Sequence, residues 1–452
     1  MRARMVSGVI VFLSIPALGQ DTRHVSEPVI PPTCTVLKAH LAPAKDGALA
    51  EGDEDSMDTE RIQNALDACP PGQAVELQRA GAARAFLSGP LQLRAGVTLR
   101  IDAETTLFGS RRARDYDVSP GSCGRVAEKG DGCQPLIRAD HVANAAVMGE
   151  GVIDGRGGAR LAGDKVSWWD LAQQAKVRNL YQNCPRIMVL TAADNFTLYR
   201  ITLKNSPNFH VLYRGGNGFT AWGVIIDTPR NARNTDGIDP ANATNVTITH
   251  CYIHAGDDQV AIKANTLGPS SHISVTHNHF YTGHGISIGS DTEGGVSAVR
   301  VDDLSIDGAD NGIRIKSNSS RGGLVHNVVY ENVCIRNTKN PILMDSNYSF
   351  YGKERGQLPT FTGILLRNVR VLGPGLITLD GFDSTHRLGV TFDGVLLGAP
   401  EKTRVAADFA DVTLGPGPVN FFPTGKDVRV AGKATAGSPA ACEDMFVPLP
   451  EK

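Results

Sequence analysis

Four short clusters of polar and charged residues recur along the middle of the chain: Asn234-Thr235-Asp236-Gly237, Gly256-Asp257-Asp258, Gly283-His284-Gly285 and Arg314-Ile315-Lys316. Three Asp, one His and two cations brought to one wall would supply an acid, a base and an anion clamp. Such a set is suited to hydrolysing a bond in an acidic polymer. Residues so far apart in the chain need a fold that returns to the same wall at regular intervals.

A repeat supplies it. Val246, Ile248, Cys251 and Ile253 are matched by Ile273, Val275, Asn278 and Phe280, and then by Val299, Val301, Leu304 and Ile306, at steps of 27 and 26 residues. Each set is followed by a Gly or Asp turn and a second short run: Val260 and Ile262, then Ile286 and Ile288, then Ile313 and Ile315. Weaker copies follow near 328–335, 361–371 and 390–396. A period of about 20 to 30 residues made of strands and turns predicts a parallel β-helix, because one coil can bury its apolar face only against the next. A β-propeller asks for blades of about 40 residues. The fold class is therefore all-β, a right-handed parallel β-helix over residues 55–452. Asp58 precedes Ile62, Ala65, Leu66 and Cys69 at helical spacing, which predicts an Asp-capped amphipathic helix covering the open N-terminal end of the stack. Beyond it no long helical period is evident, and Trp168-Trp169 is assigned to a loop.

Alternate residues of a strand share a face. With Ile313 and Ile315 inward, Arg314 and Lys316 point outward side by side, and Ser287 and Gly289 hold the matching places one coil earlier, small enough to leave a groove. His284 follows Asp257 by 27 positions, so the two share a level. Both carboxylates of Asp257-Asp258 reach the groove only if the pair lies in a turn or bulge. Two carboxylates about 5 Å apart at an effective dielectric near 20 repel by roughly 3 kcal/mol, which keeps one of them protonated. Asp236 falls one coil earlier, about 4.8 Å away, with Asn234 and Thr235 fixing its turn and holding its carboxylate. Taken singly, an Arg-x-Lys is a solvated basic spot and Asn-Thr-Asp-Gly a common turn; their alignment makes the case. Clustered Asp oxygens also fit calcium, but Arg314 and Lys316 already bring positive charge, and neither a metal nor another cofactor is expected.

The chain has 452 residues, 41% hydrophobic and 6% aromatic, with 49 Gly. That is too long for one compact core and too apolar for a disordered chain. Residues 1–19 read as a signal peptide, with Arg2 and Arg4 before the apolar run 6–18 and small Ala17 and Gly19 at the cleavage site. A polar segment, 20–54, follows. Loss of the two Arg takes the formal charge from -2 to -4, which points neither to nucleic acid nor to a membrane surface. A secreted monomer with oxidised cysteines is expected. Among eight Cys, Cys123 with Cys133 and Cys34 with Cys69 are the favoured pairs, although spacing alone leaves the pairing open. Cys251 and Cys334, inside apolar repeats, are read as buried thiols.

In order and spacing, the four clusters resemble those of glycoside hydrolase family 28, the polygalacturonases. Phe86-Leu87-Ser88-Gly89-Pro90-Leu91 and Gly151-Val152-Ile153-Asp154-Gly155 are softer matches, and the resemblance spans roughly residues 55–395. It implies a hydrolase of α-1,4-linked polygalacturonate (pectin) that inverts the anomeric centre. By motif, Asp257 would protonate the leaving oxygen, Asp236 and Asp258 would activate the attacking water, and His284 would help keep Asp257 protonated. Arg314, Lys316 and Tyr348 would bind galacturonate, with Asn234 and Gln259 as further substrate contacts. Internal cleavage is expected; exo action, or rhamnogalacturonan or xylogalacturonan as substrate, are the enzymatic alternatives. A noncatalytic β-helix that binds acidic glycans is the reading from another class.

Overall fold

Short β-branched runs stack in parallel from one end of the molecule to the other. The computed structural model describes residues 20–44, 47–349 and 357–451; the expected signal peptide, 1–19, lies outside the described residues. Eleven parallel strands form one continuous sheet, from Leu91–Gln92 to Arg404–Asp408, and the remaining walls merge into a sheet of twenty strands. Val246, Ile273, Val299, Val328, Ile364 and Val390 lie opposite one another on successive coils, none more than 3% exposed. Burying each such side chain contributes about 1.5 to 3 kcal/mol, and each depends on the coil above and below for its burial. This is the predicted parallel β-helix.

Coils stay in register partly through their corners. At one of them the backbone turns through a left-handed residue on successive coils, His250, His277, Asp303, Asn332 and Asn368, with φ from 51° to 56°. Asn, Asp and His tolerate this region better than other residues that carry a Cβ. Asn368 Nδ2 donates to Asn332 Oδ1 at 2.7 Å, which ties one corner to the next.

Helix α1 (Thr59–Ala68) covers the N-terminal end, with Ile62 and Leu66 fully buried. Asp58 sits at its N-cap position, but its side chain caps nothing. Its carboxylate accepts from Leu87 N at 3.1 Å and from Arg61 Nε at 2.9 Å, so it joins the helix to the first coils instead. The polar N-terminal segment also contains a strand, Thr33–Lys38, paired in parallel with Gln73–Gln78.

Two sequence expectations are corrected. Trp168-Trp169 opens a helix, α2 (Trp168–Arg178), started by a capping box in which Ser167 Oγ accepts from Asp170 N and Asp170 accepts from Ser167 N. Cys334 is not a thiol: it is bonded to Cys442, which ties the C-terminal segment to the stack. The other two disulfides are the favoured pairs, Cys34 with Cys69 and Cys123 with Cys133, and Cys251 is a buried thiol, as is Cys184.

Candidate active site

The eleven-strand sheet carries the site on its outer face. Strand Ile286–Gly289 pairs with Asn311–Lys316 so that Ser287 lies opposite Arg314 and Gly289 opposite Lys316. A Cβ on Gly289 would lie 1.9 Å from the Lys316 carbonyl oxygen, so only glycine fits there. Asp257 and Asp258 occupy a bend between strands Tyr252–His254 and Val260–Ile262, the irregular backbone that lets adjacent carboxylates share a face.

Asp258 is clamped. Its Oδ1 accepts from Arg314 Nη2 at 2.5 Å and from Ser287 Oγ at 2.9 Å, and its Oδ2 accepts from Lys316 Nζ at 2.8 Å. Ser287 Oγ in turn accepts from Arg314 Nε at 3.0 Å. All four side chains are buried. Tyr348 packs over both cations, its ring centre 5.2 Å from Lys316 Nζ and 6.0 Å from Arg314 Cζ. The cations were expected to bind a substrate carboxylate, and in the structure both are also paired with Asp258. Each keeps further donors, since a guanidinium has five N–H and an ammonium three.

Asp257 is paired with histidine. His284 Nδ1 lies 2.9 Å from Asp257 Oδ1, and Asn234 Nδ2 lies 3.5 Å from Asp257 Oδ2. Burial works to raise the Asp257 pKa, but the His284 bond and charge, with Lys316 and Arg314 behind them, hold it well below the usual carboxylate range. Burial likewise works to raise Asp258, and Arg314 and Lys316 overcome it. For His284 burial lowers the pKa, and the bond to Asp257 more than restores it. Mutual repulsion was expected to keep one member of the Asp pair protonated. Fixed cations outweigh that repulsion, so the proton affinity of Asp257 is lowered while that of its partner His284 is raised.

Two carboxyls of the site are pushed upward: Asp239, whose pKa burial raises to about 6 against the pull of Lys263, and Asp236. Burial and then Asp239 hold it well above the usual range, with Lys263 acting against them. Lys263 Nζ donates to Asp236 Oδ2 at 3.2 Å and to Asp239 Oδ2 at 2.5 Å, and lies 4.3 Å from the centre of the Phe209 ring. His210 is fully buried, and burial lowers its pKa to about 4. The neutral ring lies 2.9 Å from Asp236 O through Nδ1 and 2.8 Å from Thr228 Oγ1 through Nε2, which fixes the Asp236 backbone. Thr235 fixes the turn as expected, donating to Ala232 O at 2.7 Å and accepting from Gly256 N at 2.9 Å. Asn234, however, reaches toward Asp257 and not Asp236.

The structure thus brings Asp236, Asp257, Asp258, His284, Arg314, Lys316, Tyr348 and Asn234 to one face. Gln259 is the exception. It is fully buried, donates to Tyr281 O at 2.7 Å and accepts from Gly285 N, so it braces the turns behind the groove and offers substrate no atom. Lys263, Asp239 and His210 were not singled out in the sequence, and Ser287 was read only as a small outward residue that leaves the groove room. For Lys263 and Ser287 the signal was present, because both continue the outward alternation around Ile262 and Ile288.

One wall of the groove comes from α2 and the antiparallel pair Arg125–Ala127 with Tyr181–Asn183. Gln182 Nε2 donates to Asn234 Oδ1 at 3.0 Å, and Arg233 Nη1 donates to Gln182 Oε1 and to Ala172 O, each at 3.2 Å. Ligand atoms of Asp257, Asp258 and His284 lie within 4.8 Å of one another, a spacing that a metal could use. Yet both oxygens of Asp258 already accept from fixed cations, and Asp257 Oδ1 is engaged with His284. That donor set is poorly suited to a hard cation.

Residues 73–403 match the model of Glycosyl hydrolases family 28. The chain belongs to this family. It is 45% identical, over 86% of its length and 93% of the relative's, to an endo-polygalacturonase of Pectobacterium carotovorum subsp. carotovorum. It is 38% identical to a polygalacturonase of Ralstonia solanacearum, over 94% of this chain and 92% of that one. Among solved structures, the polygalacturonase from Erwinia carotovora ssp. carotovora superposes with a TM-score of 0.78 at 41% identity, covering 91% of this chain and all of that one. Every residue of the groove face described above lies within the matched span, and α1 and the N-terminal strand lie before it.

Proposed function

We propose that this family 28 enzyme hydrolyses α-1,4-galacturonosidic bonds within polygalacturonate, with inversion at the anomeric carbon. The observation that carries this reading is the alignment of Asp236, Asp257, Asp258 and His284 beside Arg314 and Lys316 on one outward face. The names of the relatives at 38% and 45% identity support galacturonan as substrate, and the first of them supports internal cleavage.

The geometry gives each residue a task. A galacturonate carboxylate takes the remaining donors of Arg314 and Lys316 and stacks against Tyr348. Its negative charge cancels part of the field that depresses Asp257, so the proton held on His284 moves along the 2.9 Å bond and onward to the leaving oxygen through Asp257. Asp236 and Asp258 hold the water that attacks from the opposite face, and Asp236 takes the proton the water loses as the new bond to the anomeric carbon forms. Inversion asks for a water between the carboxyls, which corresponds to a separation of about 6.5 to 9.5 Å between acid and base.

Export is part of the proposal. Residues 1–19 have the charge and apolar run of a signal peptide, and three disulfides suit an oxidising compartment. The proposal extends to action as a monomer with a single catalytic unit over 55–452. The test is to incubate the protein with polygalacturonic acid and a chelator, following reducing ends and product lengths. Oligomers early in the time course support internal hydrolysis. A calcium-dependent reaction giving unsaturated, ultraviolet-absorbing products, or binding without turnover, would overturn it.

A further inference from the structure

We propose that Lys263, braced by Asp239, is a positioning residue: it holds the Asp236 carboxyl in place, occupies one of its oxygens and leaves the other, without a protein donor among the described residues, for the attacking water. The inference rests on the reading of Asp236 as a water-activating group.

Asp236 is the site carboxyl least able to ionise unaided. It is 4% exposed and faces three other carboxylates, Asp239, Asp257 and Asp258. Arg314 and Lys316 are both engaged with Asp258. His210 bonds only its backbone oxygen, and as a buried neutral ring brings no charge. Arg186 acts on Asp236 only through space, its guanidinium lying 5.0 Å from the centre of the Phe209 ring. Among the described residues, Lys263 is the cation that touches the Asp236 carboxylate.

The contacts of the ammonium are specific. Of its three N–H bonds, one goes to Asp236 Oδ2 at 3.2 Å and one to Asp239 Oδ2 at 2.5 Å, while the Phe209 ring lies 4.3 Å away. Cation–ring attraction and two carboxyl groups hold Nζ where a free lysine would lose much rotamer freedom. Asp236 Oδ1 is left with no protein donor among the described residues. Both that atom and Asp239 Oδ1 are buried oxygens without a donor, and of the two only Asp236 belongs to a cluster aligned with Asp257 and Asp258 on the groove face. One oxygen clamped and one buried without a donor, a polar atom that a held water would satisfy, is the arrangement that a water-orienting carboxylate needs. The brace works in two directions: Asp239 anchors Lys263, and as a like charge it opposes ionisation of Asp236.

That opposition gives a test with two signs. Activity requires ionised Asp236, so any change that makes its proton harder to remove moves the acid limb of the kcat profile to higher pH. Lys263→Met removes the ammonium and should move that limb upward by about one to three pH units, with kcat at pH 5 falling roughly 10- to 1000-fold and KM changing much less. Lys263→Arg keeps the charge and should restore most of the limb. Asp239→Asn removes the like charge and should move the limb downward. A lysine that is only structural would lower activity and melting temperature with the limb unmoved, and that result overturns the proposal. If Lys263→Met does not fold, an unshifted limb in Asp239→Asn overturns it equally. Absence of reducing ends from the unaltered protein would instead defeat the galacturonan reading, so the two failures are distinguishable.

Discussion

His284 Nδ1 and Asp257 Oδ1 meet at 2.9 Å across one coil step, and the chain separates them by 27 positions. This pair carries one proton between two groups whose affinities have been moved in opposite directions, Asp257 down and His284 up. The alkaline limb of the kcat profile should therefore report loss of that shared proton, above the ordinary histidine range. Asp257→Asn should lower kcat by about 10³ to 10⁴ with KM little changed. In His284→Asn the proton must stay on Asp257 alone, in the field of Arg314 and Lys316, so the alkaline limb should move to lower pH. A limb that stays in place would show that the imidazole is not the proton store.

The clamp around Asp258 makes a different prediction, about stability. Arg314→Met leaves a buried carboxylate with only Lys316 and Ser287 as partners. Breaking one side of a buried pair costs about 3 to 5 kcal/mol, because the remaining charge stays desolvated. Urea unfolding should record that loss. Adding Asp258→Asn should recover part of it without restoring turnover, whereas additive losses would mean that the two residues are not coupled.

How far the sequence reached is visible in particular residues. The coil register was readable because β-branched positions recur at a constant step, and register then decided which side chains meet; that is why Asp257, His284, Arg314 and Lys316 were found together. Charge state was less readable. The sequence gives repulsion between adjacent Asp, but not that Arg314, Lys316 and Ser287 close on Asp258. Helix α2 had its signals, Ser167 with Asp170 and the buried series Trp168, Leu171, Ala172 and Ala175, yet two of those four are alanines, whose weak hydropathy blurs a helical period. Gln259 misled because it follows two groove residues, and adjacency in the chain says nothing about facing when the backbone bends between them. Cys334 was read from its apolar surroundings, while its partner Cys442 comes from a segment with no repeat to place it.

The Cys334–Cys442 bond closes a loop with a sequence separation of 108, and chain-entropy arguments give such a bond several kcal/mol by restricting the unfolded chain. Replacing Cys442 by Ala should cost about 2 to 4 kcal/mol in urea unfolding under non-reducing conditions. Catalysis by the folded fraction should be unchanged, since neither cysteine belongs to the groove face. Loss of turnover in a fully folded variant would show that the C-terminal segment supports the site directly.

Beyond Lys316 the same outward column continues as Asp345, Asp380 and Asp408, each opposite the next on successive coils. Burial, then Asp345 and Asp408, push the pKa of Asp380 up to about 6. A carboxyl that binds its proton more tightly in the folded chain than in the unfolded one favours folding when protonated and opposes it once ionised. The opposition is therefore full at pH 7, declines as pH falls through about 6, and vanishes near the unfolded value of about 4. Asp380→Asn should stabilise the protein at pH 7 by about 1 kcal/mol, the full shift being reduced because the group is half-exposed and screened by solvent. At pH 4 the variant and the unaltered protein should unfold at the same urea concentration. An equal gain at both pH values would trace the effect to packing of the amide, since only an electrostatic origin makes the benefit disappear with the charge.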